Sequence, residues 1–172
     1  KDKIDKYLYT ESGENRFDIL SKIPNNVEDL KAAIIHAIKA HDSRVLIIDP
    51  LSAILASMSN EQQVELMAFF EQIKRDYSCT VILCLHTRKS GSGQKDVSEG
   101  AEYGESDIRG SSSIPATATI NILLSRNKFA EDEIEKNTTN ISVSKHRSQG
   151  NTGRNVAKIY YSKEHSTLFS YN

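Results

Sequence analysis

The sequence predicts an α/β fold, a mostly parallel sheet flanked by helices with an antiparallel edge at its C-terminal end. Two short and mainly apolar runs, residues 44–48 and 80–85, have the composition of buried central strands in a parallel sheet. The segments before and between these runs have helical periodicity, which predicts right-handed strand–helix–strand units with helices on the sheet faces. Beyond residue 126 the pattern changes to strands and turns.

The helical segments are predicted from their caps and their apolar faces. Asn26 can cap a helix over residues 27–40, and Asn60 can cap a second helix that runs to residue 75. The side chains expected on the buried faces are Leu30, Ile34, Ile35 and Ile38 in the first helix, and Val64, Met67, Ala68 and residues 70–73 in the second.

The remaining segments are predicted to be strands and loops. One strand is expected at residues 15–20 and another at residues 120–125. Residues 128–140 are polar and acidic, which predicts a loop. The antiparallel strands are expected at residues 140–145, 157–162 and 167–171.

The composition is that of one globular domain. The chain has 172 residues, of which 38% are apolar and 26% are charged, so it can bury a sizeable core. A formal net charge of -1 gives no overall attraction to nucleic acid, so any DNA contact must come from local patches. No apolar run is as long as a membrane span and no signal-peptide pattern is present, which predicts a cytoplasmic protein with no membrane partner. Cys79 and Cys84 lack metal-ligand spacing with the histidines and are expected to be free thiols.

Two neighbouring strand ends carry polar side chains, Asp49 after the first run and His86 after the second. Open α/β sheets bind ligands at the carboxyl ends of their parallel strands. A carboxylate there can hold the Mg²⁺ that bridges nucleotide phosphates, because this metal prefers hard oxygen ligands, and a neutral imidazole can hydrogen-bond a γ-phosphate. The alternative is that Asp49 with Pro50 only forms a turn or a helix cap, and that His86 only begins a loop.

A long polar segment follows His86. Residues 87–106 are rich in glycine, serine and charge and have no apolar period, which at this length predicts a flexible working loop. Acidic residues outnumber basic ones in this segment. By composition alone the favoured interpretation is therefore a solvated insertion without a ligand.

Five sequence motifs together indicate a family. They are VLIIDPLSAIL, VILCLHTRK, SDIRGSSSI, INILLSRN and SKHRSQGNTG, in this order along the chain. With these motifs the chain resembles the C-terminal part of a RecA-like hexameric replicative DNA helicase of the DnaB type, closest to the primase-helicases of phages. The resemblance implies one RecA-like ATPase domain over residues 1–172, in which residues 87–106 bind DNA and residues 140–172 are antiparallel strands that carry an arginine finger.

The resemblance implies roles for particular residues. Asp49 corresponds to the carboxylate that organises Mg²⁺, and His86 to the phosphate sensor that couples ATP to DNA. Lys145 and Arg147 resemble the basic pair that reaches into the nucleotide site of the neighbouring subunit, with Arg147 as the arginine finger. A guanidinium suits that role because it can stabilise the charge that develops on the γ-phosphate oxygens. Arg126 matches a second arginine on the phosphate side.

Further roles concern the nucleotide base and the DNA. Tyr160 falls where the family stacks an aromatic side chain on the base. The residues that match segments lining the central channel and tracking single-stranded DNA are Arg88, Lys89, Lys95, Arg109 and Gly110. The implied cofactors are ATP or another nucleoside triphosphate and Mg²⁺, and the implied partners are single-stranded DNA and further copies of the chain in a hexameric ring.

The chain also departs from the family. The places of a phosphate-sensing glutamine and a following aspartate hold Ala116 and Thr119. There is no G-x-x-x-x-G-K-[ST] segment to cradle phosphates and no matching catalytic glutamate. We therefore expect a C-terminal fragment whose first residues, 1–26, begin inside the ATPase domain and which is inactive in isolation.

The function implied for the intact protein is that of an ATP-dependent replicative DNA helicase in the cytoplasm of a bacterial or phage-infected cell. The alternatives are a RecA-like recombinase or repair ATPase that forms filaments, and an interaction domain without chemistry.

Overall fold

The computed structural model describes residues 27–86 and 112–170, which belong to two compact units, Lys1–His86 and Thr87–Asn172. The expected strand at residues 15–20, the Asn26 cap and the polar segment at residues 87–106 lie outside the described residues.

The first unit contains three helices and two strands among its described residues. In chain order they are α1 (Val27–His41), β1 (Val45–Ile48), α2 (Leu51–Leu55), α3 (Asn60–Asp76) and β2 (Thr80–Leu83). Strands β1 and β2 pair in parallel, with Val45 opposite Thr80 and Ile48 opposite Leu83. Because parallel neighbours need a crossover, the chain passes through α2 and α3 between them.

The second unit contains a four-stranded antiparallel sheet in the order β3-β4-β5-β6. Its described elements are α4 (Ser113–Thr117), β3 (Ile120–Ser125), α5 (Glu133–Asn137), β4 (Thr138–His146), β5 (Gly153–Ser162) and β6 (Thr167–Ser170). The predicted α/β class, with parallel strands first and antiparallel strands at the C-terminal end, is therefore confirmed. None of the helices in the described ranges is long and apolar enough to cross a membrane.

The core of the first unit lies between α1, α3 and β2. Leu30 and Ile38 of α1 are buried, and so are Leu66 and Ile73 of α3. The ammonium group of Lys31 on α1 bonds the carboxylates of Glu28 and Glu65 and lies 6.0 Å from the ring centroid of Phe69, which connects the two helices at the surface. Packing of apolar faces, supplemented by this ion pair, therefore holds α1 on α3.

The expectation that both parallel strands are fully buried is wrong for this unit. Val45, Ile47 and Ile82 are exposed, and they alternate with half-buried neighbours. Since successive side chains of a strand point to opposite faces, helices that pack on one face leave the other set uncovered. In the described residues the strands are thus covered on one face only.

The N-cap of helix α3 lies one residue before the predicted one. Ser59, and not Asn60, is the N-cap: its Oγ accepts from the backbone N–H of Gln62 at 3.3 Å, and its own N–H donates to Gln62 Oε1 at 2.9 Å. This reciprocal capping box satisfies two donors that the helix itself cannot pair, whereas the Asn60 side chain would satisfy one. Asn60 is accordingly the first helical residue.

The buried face of α3 is also rotated from the predicted one. The buried side chains are Gln63, Leu66, Met67, Phe69, Phe70 and Ile73. Val64 and Ala68, which were expected inside, are exposed. The physical reason is that the face with Leu66 and the phenylalanines carries more apolar area than the predicted face. Burying it therefore removes more apolar surface from water.

The second unit departs from the prediction mainly at residues 128–140, which were expected to form a loop. They include α5, whose N-cap Asp132 accepts from the N–H of Glu135 at 2.7 Å, and the first residues of β4. An aspartate followed by acidic residues in the first turn favours a helix start, and this signal was missed. Strand β5 likewise begins at Gly153, earlier than expected.

The rotation of α3 can be tested with two substitutions on that helix. Leu66 is 0% exposed and Val64 is 51% exposed. Leu66→Ala should lower the free energy of unfolding by about 2–5 kcal/mol, because it leaves a cavity. Val64→Ala should change it by less than about 0.5 kcal/mol. Urea unfolding of both variants is the measurement, and equal losses would contradict the observed helix face.

Candidate functional site

The candidate site of the first unit is the carboxyl edge of the parallel pair β1 and β2. Asp49 directly follows β1, and His86 lies three residues beyond Leu83, the last residue of β2. The pairing continues past both strands, since the N–H of Cys84 donates to Ile48 O at 2.9 Å and the N–H of Leu51 donates to Cys84 O at 2.8 Å. Because the strands are parallel, Asp49 and His86 lie at the same edge, and both are exposed to solvent.

Cys84 belongs to this edge, although the sequence indicated only a thiol within a strand. Burial raises the pKa of the Cys84 thiol, and the nearby negative charge of Asp49 raises it further. The parallel register, which could have revealed the proximity, is not visible in the sequence of either strand alone. Cys79, at the other end of β2, is also free, and burial raises the pKa of its thiol.

The donor set at this edge fits a magnesium ion shared with a nucleotide. No cluster of three or more histidine, cysteine, aspartate or glutamate side chains occurs in the described ranges, so these residues do not form an all-protein cage. Mg²⁺ is usually bound by one or two carboxylates, with phosphates and water completing its octahedron. The exposed carboxylate of Asp49 suits that arrangement.

A separate candidate site, in the second unit, is the basic pair at the end of β4. The ammonium group of Lys145 donates to the carbonyl oxygens of Pro115 and Ala116, at 2.8 Å and 2.7 Å. The guanidinium of Arg147 donates to the same Ala116 oxygen. The structure thus brings the two predicted basic residues together, on the carbonyl groups of the short helix α4.

The positions that depart from the family are contact points for this pair. Ala116 supplies the carbonyl that both cations share, and the carbonyl of Thr119 accepts from the backbone N–H of Arg147 at 3.0 Å. At both positions the contact is made by the backbone carbonyl and not by the side chain. Sequence reasoning, which compares side chains, could not have identified them.

Arg126 and Tyr160 lie at the opposite end of the β3–β4 ladder from the basic pair. Arg126 follows Ser125, which is paired with Asn140, whereas His146 is paired with Ile120. Tyr160 is paired with Thr138, near the same end as Arg126. At about 3.3 Å per residue, the two ends of the ladder are roughly 17–20 Å apart. Arg126 and Tyr160 therefore cannot contact the same phosphate as Lys145 and Arg147 within one chain.

The predicted DNA-contacting residues lie outside the described residues. They are Arg88, Lys89, Lys95, Arg109 and Gly110.

Open α/β sheets bind ligands at the carboxyl edge of their parallel strands, and an acidic residue there suits a Mg²⁺-bound nucleotide. The family model of the DnaB-like helicase C terminal domain matches residues 5–170, so the chain belongs to this family. The resemblance to helicases of the DnaB type, seen in the five sequence motifs, is thereby confirmed.

Comparison with solved structures supports the fold. The chain is similar to the crystal structure of a KaiC-like protein from the hyperthermophilic archaeon Pyrococcus horikoshii OT3, with a TM-score of 0.54 and 14% sequence identity. The match covers 99% of this chain and 68% of that chain. At this identity the likeness shows a common RecA-like fold and nothing about activity. No curated protein matches the chain.

The proximity of Asp49 and Cys84 can be tested by thiol alkylation. Asp49→Asn removes the negative charge that raises the pKa of Cys84, so more of the thiol is ionised at mildly alkaline pH and iodoacetamide should react faster. Peptide mass spectrometry resolves Cys84 from Cys79. The control is Asp42→Asn, since the exposed Asp42 lies before β1 and contacts Arg44. An unchanged Cys84 rate in Asp49→Asn would contradict the geometry of this edge.

Proposed function

We propose that this domain is part of an ATP-dependent replicative DNA helicase, a ring of identical subunits that translocates on single-stranded DNA. The observation that carries the proposal is the common edge of Asp49 and His86 on the parallel pair. Membership of the DnaB-like family favours a helicase over a filament-forming recombinase and over an interaction domain without chemistry.

Asp49 is proposed to hold Mg²⁺ together with the phosphates of ATP or another nucleoside triphosphate. The bound metal would neutralise charge that develops on the phosphate oxygens. His86, at the same edge, is proposed to hydrogen-bond the terminal phosphate and to respond when that phosphate is lost. An imidazole serves this purpose because it can donate from one nitrogen while the other is held by the protein.

Lys145 and Arg147 are proposed to act on the nucleotide of a neighbouring subunit, with Arg147 as the arginine finger. This pair is separated from Arg126 and Tyr160 along the ladder, which supports different roles for the two pairs. In this proposal Arg126 serves the phosphates of a nucleotide and Tyr160 stacks on a nucleotide base.

The chain has no phosphate-cradling G-x-x-x-x-G-K-[ST] segment, so a complete nucleotide site requires one from outside these 172 residues. We accordingly propose that the isolated chain binds nucleotide weakly and hydrolyses none. Relation to a phage primase-helicase, a hexameric ring and action in the cytoplasm of a bacterial or phage-infected cell are proposed on the family resemblance alone.

The trans role of Arg147 can be tested by mixing variants of the helicase that contains this domain. Arg147→Ala should lower ATP turnover by about 10³-fold or more, while nucleotide affinity at the same subunit's site stays nearly unchanged. Mixing Arg147→Ala subunits with Asp49→Asn subunits should restore part of the activity. Some interfaces of the mixed rings then pair a normal Asp49 with a normal Arg147.

The control for this experiment is Arg154→Ala, which removes an exposed arginine from β5 of the same sheet. It should leave turnover close to that of the unaltered protein. If mixed rings form but no activity returns, Arg147 does not act in trans.

The DNA role of residues 88–95 can be tested by salt dependence. Replacing Arg88, Lys89 and Lys95 together by alanine should weaken binding of single-stranded DNA. Each lost phosphate contact lowers the magnitude of the log–log salt slope by about 0.7, so three lost contacts lower it by about 2. Fluorescence anisotropy over a salt series is the measurement.

The matched control removes three exposed basic residues of the second unit, Lys128, Arg154 and Lys158. It makes the same change in net charge but should leave the slope unchanged. Equal slopes for the test variant and the unaltered protein would instead support a solvated insertion without a ligand.

A further inference from the structure

Two backbone carbonyls at the end of α4 each accept two side-chain donors. Pro115 O accepts from Lys145 Nζ at 2.8 Å and from Asn121 Nδ2 at 3.1 Å. Ala116 O accepts from Lys145 Nζ at 2.7 Å and from Arg147. A carbonyl oxygen has two lone pairs, so each of these oxygens has a donor for both of them. We call the carbonyls of Pro115 and Ala116, together with the Asn121 side chain, the carbonyl clamp.

A β-bulge in β4 directs Lys145 into the clamp. Asn121 is paired with Lys145, but the next residue of β3, Ile122, is paired with Val143, so Ser144 is an extra residue. In regular alternation Lys145 would lie on the face of Val143. The bulge moves it to the face of Asn121, where α4 supplies the carbonyls.

The clamp holds two like charges close together. Lys145 and Arg147 bond one shared oxygen, and their mutual repulsion is offset by the carbonyl dipoles that they contact. Within residues 27–86 and 112–170, these bonds engage two of the three donors of Lys145 and one of the five of Arg147. The guanidinium therefore keeps donors for an anion while its position is fixed.

We propose that the carbonyl clamp sets the position of the Lys145–Arg147 pair, and that Asn121 is a positioning residue which acts through Pro115. The inference rests on the proposed trans role of Arg147 and adds the device that orients it. Asn121 is suited to this task because it is 8% exposed and lies on β3 directly opposite Lys145. It holds the carbonyl that Lys145 also contacts, so its loss frees α4 to shift under the pair.

The chain offers a matched control for Asn121. Asn137 is 7% exposed, and its Nδ2 donates at 2.7 Å to Glu133 O, a carbonyl of the other short helix in this unit, α5. Asn121→Leu and Asn137→Leu therefore remove the same type of bond from equally buried sites. A purely structural role predicts that they behave alike.

Two measurements separate positioning from stability. In the helicase that contains this domain, Asn121→Leu should lower kcat for ATP about tenfold or more with KM nearly unchanged, because a misplaced group costs rate and not affinity. In the 172-residue chain, it should shift the side-chain ¹⁵N resonances of Lys145 and Arg147. Asn137→Leu should leave the kcat and both resonances near their original values.

A second variant covers the case in which Asn121→Leu does not fold. Asn121→Asp keeps the volume, removes the donor to Pro115 and adds a negative charge opposite Lys145, so it should also lower kcat and displace both resonances, by amounts that differ from those of Asn121→Leu. The inference is overturned if the Asn121 variants behave like Asn137→Leu while Arg147→Ala is inactive. If Arg147→Ala keeps its activity, the proposed function fails, and unchanged resonances in the Asn121 variants would overturn the clamp separately.

Discussion

The parallel pairing of β1 and β2 is the constraint on which the first unit depends. Two parallel neighbours cannot be joined by a tight turn, so the chain must leave the sheet and return through α3. After this crossover, α3 packs on the sheet and α1 packs on α3, and the core forms between them. The same pairing makes both strands end at one edge. Asp49 and His86 share a location because the strands run in one direction, and no direct bond between them is needed.

In the second unit the β3–β4 ladder has one register shift, next to the basic pair, and the β4–β5 ladder has another between Ile141 and Val143. A strand of alternating residues would have carried Lys145 onto the face of Ile122 and Val143, where an ammonium group would meet apolar neighbours. One extra residue, Ser144, reverses the alternation, so the Lys145 side chain lies on the other face and contacts the carbonyls of α4. The irregularity costs a ladder hydrogen bond locally, and it is compensated by charge-assisted bonds of the cations.

Much of this molecule could be predicted from its sequence, and the failures have physical causes. Apolar runs and helical periods located β1, β2, α1 and α3, because those signals depend on burial of many side chains. The face of α3 was predicted wrongly, since Val64 and Phe69 are both apolar and only packing decides between them. Asp49 was predicted from its place at the end of a strand, and Lys145 and Arg147 from the family resemblance; their roles stay predictions. Cys84 and Ser144 were not predicted, because a parallel register and a bulge are relations between strands that neither strand encodes alone.

The carbonyl clamp has a consequence for how such domains diverge. Its acceptors are main-chain oxygens, so a substitution at position 115 or 116 changes the side chain but leaves the acceptor in place as long as the backbone path is kept. A chain can therefore hold alanine at position 116 and still present an oxygen to two cations. Substitutions at these two positions therefore have little effect on the position of Lys145 and Arg147. An inserted or deleted residue in β4, in contrast, would move their side chains to the other face of the strand. Related chains are thus better compared by strand length and register here than by residue identity.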